Sequence, residues 1–363
     1  MAEEASLHGI RLREDLTVVP QGDGTVAIAL PDGQRCFRFS DQEYLLATLI
    51  HAHTSFAPIH SEFLQRTGKT LSSEKLDAFI LQLSAFEMLS GSEKKKEKEK
   101  VSWRQLLRKM GRIEIPLLNP DQSLERLAPL AQALYTRVFA VIATSMIAIA
   151  LGCAATQWQE ISRFISTPVL SPSTKILLTW FAMGLIDLFH EYGHGLSCKF
   201  YGGKVPRMGV MLYFLLPMAF CDVNSSNLFP KNQRITVALS GLYGQGLLGG
   251  FALLLLCLFP LPPTGSFFLS QIVFMGLIFG WTNLIPLVKL DGYFLLCDLT
   301  GIVNLRPRAL AYLKKWALSH WEGKGISPEN REESLFLAYG ILGSLASAGM
   351  VVAGAHMALS FFF

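Results

Sequence analysis

Five apolar runs, each about as long as a bilayer-crossing helix needs to be, constrain this chain more than any other feature. They cover residues 134–155, 176–198, 235–259, 267–288 and 335–363. Only 17% of the 363 residues are charged and 51% are hydrophobic, whereas soluble domains carry about 25% charged residues. The charge that exists is concentrated before residue 133. A sixth apolar stretch, 208–220, is too short to span and contains Gly209 and Pro217, which predicts a membrane-edge hairpin. The expected fold is therefore mainly α: a polytopic helical membrane protein of about five spans plus that hairpin, preceded by a small α+β domain.

Loop charge gives an orientation. Lysines and arginines crowd residues 94–112, 199–234 and 289–315, while 260–266 has no charge. Basic loops stay on the cytosolic side, so five spans with a cytosolic N-terminus place all three basic regions together. The start of the chain lacks a basic stretch followed by an apolar one, so no cleavable signal peptide is expected. A net charge of +4 does not indicate a nucleic-acid partner. Six cysteines without a CxxC pair do not form a disulfide framework.

Residues 1–92 read as a compact soluble domain. Short β-type runs around 17–19, 25–30 and 35–39 are separated by Gly22-Asp23-Gly24 and Pro31-Asp32-Gly33, a hairpin signal. Ser40-Asp41-Gln42-Glu43 has the spacing of a capping box and opens a helix to about His51. Further helices are expected near 60–66 and 73–88. Strands followed by three helices suggest a winged-helix-like domain. His51, His53 and His60 read as surface histidines. A charged linker and juxtamembrane segment, 93–132, contains the run EKKKEKEK and leads to a membrane domain over 133–363.

The run 176–198 holds residues that do not belong in lipid: Asp187, His190, Glu191 and His194. Ionisable groups at membrane depth are costly and mark function. Histidines four apart share one helix face, and the intervening Glu191 is placed to take a proton from a metal-activated water. A catalytic zinc needs a third protein ligand. Asp291 lies just past the fourth run, after Asn283, Pro286 and Leu290, at the same cytosolic depth as His194. Alone, Asp291 reads as a helix cap or a surface carboxylate as readily as a ligand; beside the histidines it reads as the third ligand. Asp187, one turn before His190, either accepts from a ligand ring or bonds another span.

The histidine motif on one span, with Asn-x-x-Pro and Leu-Asp-Gly ending a later one, resembles the site-2 protease family of intramembrane zinc metalloproteases. Leu290-Asp291-Gly292-Tyr293 is most similar to its bacterial branch of peptide zinc metalloproteases. The resemblance covers about 175–300. It implies one Zn2+ per chain on His190, His194 and Asp291, Glu191 as catalytic base, and Asn283 steadying the substrate carbonyl or oxyanion. Many members carry Gly-Pro and then Asn early in the third span; this chain has Ser240-Gly241-Leu242-Tyr243-Gly244-Gln245, a departure that bears on substrate positioning. The first domain loosely resembles winged-helix peptide-recognition domains of peptide-modifying systems, implying peptide or protein capture. The expected function is hydrolysis of a membrane-associated peptide or protein near the cytosolic face of a bacterial inner membrane, with the bilayer and peptide-modification or export proteins as partners. The competing reading is a non-proteolytic membrane subunit that binds a peptide for maturation or export.

Overall fold

In the computed structural model, residues 10–33, 35–90, 112–156, 159, 169–213 and 216–362 are described. The N-terminal part opens with a short strand β1 (Arg11–Leu12) and a three-stranded antiparallel meander, β2 (Thr17–Pro20), β3 (Thr25–Ala29) and β4 (Cys36–Ser40). Gly22, Gly24 and Gly33 take positive φ in its turns, the conformation glycine tolerates. The capping box forms as its spacing requires. Ser40 Oγ accepts from the Glu43 amide, and Glu43 accepts from the Ser40 amide at 2.8 Å.

Helices α1 (Asp41–Ala52), α2 (Phe56–Thr67) and α3 (Ser73–Ala85) follow, and β5 (Leu89–Ser90) returns to pair with β1. One core, including Ile28, Phe39, Ile50, Ile59, Leu76 and Leu83, lies between the meander and the helices. Helix α3 stops at Ala85, short of the expected Met88, because Glu87 turns the chain at φ 58° to start β5.

The run Glu93–Lys100 lies outside the described residues. The stretch after it is more than a linker. Arg112–Leu118 forms β6, which pairs with β7 (Met208–Tyr213), and β7 pairs with β8 (Leu216–Cys221). The expected hairpin thus exists as two strands of a three-stranded sheet. Gly209 permits the pairing: a Cβ there would collide with the Ile115 carbonyl and lie 2.8 Å from the Leu117 nitrogen. Short helices α4 (Asp121–Arg126) and α5 (Ala128–Leu134) lead into α6 (Arg137–Thr156). Leu124 of α4 is fully buried against Leu196 and Cys198 of α7 (Pro172–Phe200).

The remaining helices are α8 (Lys231–Leu258), α9 (Pro263–Leu284), α10 (Asp291–Thr300), α11 (Leu305–Trp321) and α12 (Arg331–Phe362). Helix α7 packs against α8 and α9. Among the described residues, Lys231–Leu258, Pro263–Leu284 and Arg331–His356 are long and apolar enough to cross a membrane. A fourth span results if α5 and α6, bent by 69°, act as one. That is fewer than the five expected. The shortfall is α7, whose second half is interrupted by Asp187, His190, Glu191 and His194, so its hydropathy falls below that of a plain span. Its apolar outer face is nonetheless open: Leu177 is 70% exposed and Phe181 65%.

Candidate metal centre

The three expected ligands meet. His190 and His194, one turn apart on α7, bring their Nε2 atoms to 3.1 Å of each other. Asp291 Oδ2 lies 2.9 Å from His190 Nε2 and 3.3 Å from His194 Nε2. All three are the residues able to share a metal ion among the described residues.

Asp291 reaches this point because α9 ends at Leu284, just before Ile285-Pro286, and α10 restarts at Asp291. Proline cannot continue the ladder. Gly292 lets α10 begin against the end of α9, since a Cβ there would overlap the Leu284 carbonyl. The intervening loop is tied down at several points. Tyr213 Oη of β7 accepts from the Lys289 amide at 3.2 Å, and the Leu287 carbonyl accepts from Arg306 and from Tyr339, each at 3.4 Å.

The outer hydrogen bonds fix the inner lone pairs. The Val237 carbonyl can only accept, so His194 Nδ1 donates to it at 2.7 Å. Gln245 Nε2 donates to the Gly276 carbonyl, which turns Gln245 Oε1 toward His190 Nδ1 at 2.7 Å. Each Nδ1 therefore carries its ring's proton, and each Nε2 presents a lone pair. The third atom, Asp291 Oδ2, is buried and accepts no hydrogen bond. Three acceptors thus converge with no cation among them: Asp291 Oδ2 has no donor, and His190 Nε2 has only a long contact from the Asn283 amide; an unmet buried acceptor costs about 1–3 kcal/mol. A proton on one Nε2 satisfies Asp291 by ion pairing; a divalent cation satisfies all three atoms at once. Two imidazoles and one carboxylate suit zinc and leave a coordination position open.

Asn283, on the last turn of α9, places its amide nitrogen 3.4 Å from His190 Nε2, at the edge of the same cluster. Glu191 is half-buried. It makes no hydrogen bond or ion pair among the described residues, yet lies within electrostatic range of His194, His190 and Asp291.

Two contributors were not visible as site residues in the sequence. Gln245 orients His190, and Gly241 makes room for both rings: a Cβ on Gly241 would meet His194 Nε2 and lie 2.6 Å from His190 Nε2. The signal for Gln245 was present as a lone amide in the glycine-rich apolar stretch of α8. Asp187 is not the ring partner, because both Nδ1 positions are filled. It faces the Ala219 backbone amide of β8 instead. Cys198 is bonded to Ser225 (3.3 Å), and His53 pairs with Glu62 (2.9 Å); neither joins the cluster.

No family model matches the chain, and no solved structure does. Over 125 residues the chain is 28% identical to the Bacillus subtilis (strain 168) protein named "Putative peptide zinc metalloprotease protein YydH". The match covers 33% of this chain and 46% of that protein. The fold and the histidine–aspartate cluster thus describe a helical membrane protein with a metal-capable centre, and the likeness links it, distantly, to a named metalloprotease.

Proposed function

We propose that the chain is an intramembrane zinc endopeptidase of the site-2 protease type. The observation that carries this reading is the convergence of three buried acceptor atoms, from two separated motifs, beside an unpaired glutamate. The distant likeness to a protein named as a peptide zinc metalloprotease supports it. The apolar exposed face of α7 and the neighbouring apolar helices support a centre at membrane depth, and loop charge supports a place near the cytosolic ends of the helices.

His190, His194 and Asp291 would hold the zinc ion, which when bound would supply Lewis acidity toward a water and a peptide carbonyl. Glu191 takes the proton as the water oxygen attacks the carbonyl carbon, then delivers it to the amine nitrogen as the C–N bond breaks. Asn283 donates from its amide to the oxygen that gains charge. β6 and β8 are the edge strands of the three-stranded sheet, and an extended substrate segment adds there as a further strand. The substrate is a membrane-associated peptide or protein, and the N-terminal domain takes part in recognising it.

Glu191→Gln is the decisive variant. It should retain stoichiometric zinc by elemental analysis and lose peptide hydrolysis, by at least about 10²-fold given typical general-base contributions. His190→Ala and Asp291→Ala should both lose the metal. Hydrolysis at wild-type rate by Glu191→Gln, or full zinc retention by Asp291→Ala, would sink the reading.

A further inference from the structure

The helix that begins with the metal ligand Asp291 ends in a second buried cluster. Asp298 is seven residues on, two turns along α10 and on the same face. Its Oδ1 accepts from Arg234 Nε of α8 at 2.8 Å and from Arg38 Nη1 of β4. Arg234 also donates to Asp23 Oδ2 at 2.6 Å, to Gln21 Oε1 at 2.8 Å and to the Phe229 carbonyl at 2.8 Å. The side chains of Arg234, Asp298 and Arg38 are 3%, 7% and 9% exposed. Gln21, Asp23 and Arg38 all belong to the N-terminal domain, so that domain grips the membrane part from both sides of one carboxylate.

The grip falls on the two helices that build the metal centre. On α8, Arg234, Val237, Gly241 and Gln245 follow one another at spacings of three, four and four residues, so they share a face. That face presents Arg234 at one end and the supports of both histidines further along. On α10, Asp298 and Asp291 do the same. Arg38 makes a poor stabiliser in its own right. Its Nε and Nη2 are buried without partners, and a buried ion pair with unmet donors repays little of its desolvation cost. What Arg38 does fix is the place of Asp298.

We propose that Arg38 is a positioning residue for the metal centre. Docking of the N-terminal domain through Arg38–Asp298 sets the lie of α10, and with it the point at which Asp291 enters the cluster. The inference rests on the metal-centre reading above. It makes the N-terminal domain part of the site, so that binding at that domain and binding at the metal are energetically linked.

The test uses the full-length protein loaded with Co2+ in place of zinc. The readouts are the visible spectrum of the bound cobalt, which reports ligand geometry, and its rate of loss to a chelator. Arg38→Met should shift the spectrum and speed metal loss about tenfold, the lower end of the effect of outer partners on metal ligands. Arg38→Lys, which keeps the charge without the planar fork, should fall between. Arg35→Met, which removes an exposed arginine of the same domain paired with Asp32 and Glu87, should match wild type. Wild-type spectrum and loss rate in both Arg38 variants would overturn the assignment, as would an equal change in Arg35→Met. If Arg38→Met does not fold, Arg38→Lys decides alone, and a lysine variant identical to wild type overturns it. A wild-type protein that takes up no cobalt removes the metal centre itself, a separate outcome.

Discussion

Two charged clusters are buried at opposite ends of α10, along one face of α8, and they are built on opposite principles. At one end Arg38, Arg234, Asp23 and Asp298 bring two positive and two negative charges together, and the sum is zero. At the other end His190, His194 and Asp291 point three lone-pair atoms at one place, and the sum lacks a cation. Burial tolerates the first arrangement because opposite charges compensate their lost hydration. It tolerates the second only with something added. The difference teaches how to read buried charge: a cluster that closes on itself holds parts together, while one left short of a partner is waiting for a ligand.

The sharpest way to break this contrast is to fill the space at the open end. In Gly241→Ala the new methyl would overlap His194 Nε2 and sit 2.6 Å from His190 Nε2, while every ligand stays in the sequence. The expected outcome is loss of stoichiometric zinc by elemental analysis, with the helical circular dichroism kept. Full zinc occupancy in that variant would show that the ligands do not converge where the structure puts them.

A smaller effect is expected from Gln245→Leu. The substitution keeps the bulk but strips His190 Nδ1 of its acceptor and the Gly276 carbonyl of its donor. The ring is then free to rotate. Zinc affinity, measured by competition with a chromophoric chelator, should fall about 10–100-fold, as for other groups that orient metal ligands. An unchanged affinity would mean that α7 alone fixes the ring.

Much of the open end was legible in the sequence, and the closed end was not. His190 and His194 declare themselves because their pairing is local: four residues apart on a helix is a statement about one face. Pro286 declares where α9 must end, and so where Asp291 can turn inward. The hairpin after residue 208 and the Ser40–Glu43 cap are local in the same sense. Arg38 and Asp298, by contrast, are 260 residues apart, and no periodicity links a strand of the N-terminal domain to the last turn of a short helix. Strand β6 was hidden for the same reason, since its partner β7 lies beyond the four helices α4 to α7. The span count erred because the polar residues that make α7 informative also lower its hydropathy.

The closed end can be probed through its most accessible charge, with the least effect of the three. Burial pushes the Asp23 carboxyl up, but its bonds from Thr25 and Arg234 outweigh that and hold it below its ordinary value of 3.8. A group that binds its proton less readily when folded adds stability above its unfolded value and loses it as pH falls through the folded one. Wild type should therefore exceed Asp23→Asn in thermal midpoint by a constant margin from neutrality down to about pH 4. Below that the margin should shrink as Asp23 takes up its proton. The neutral-pH difference should be about 1.5–3 kcal/mol, the range for a hydrogen bond to a charged group, with zinc stoichiometry unchanged. A margin independent of pH would mean that Asp23 acts by shape and not by charge. The closed end would then not be the self-compensating ionic cluster that sets it apart from the metal centre.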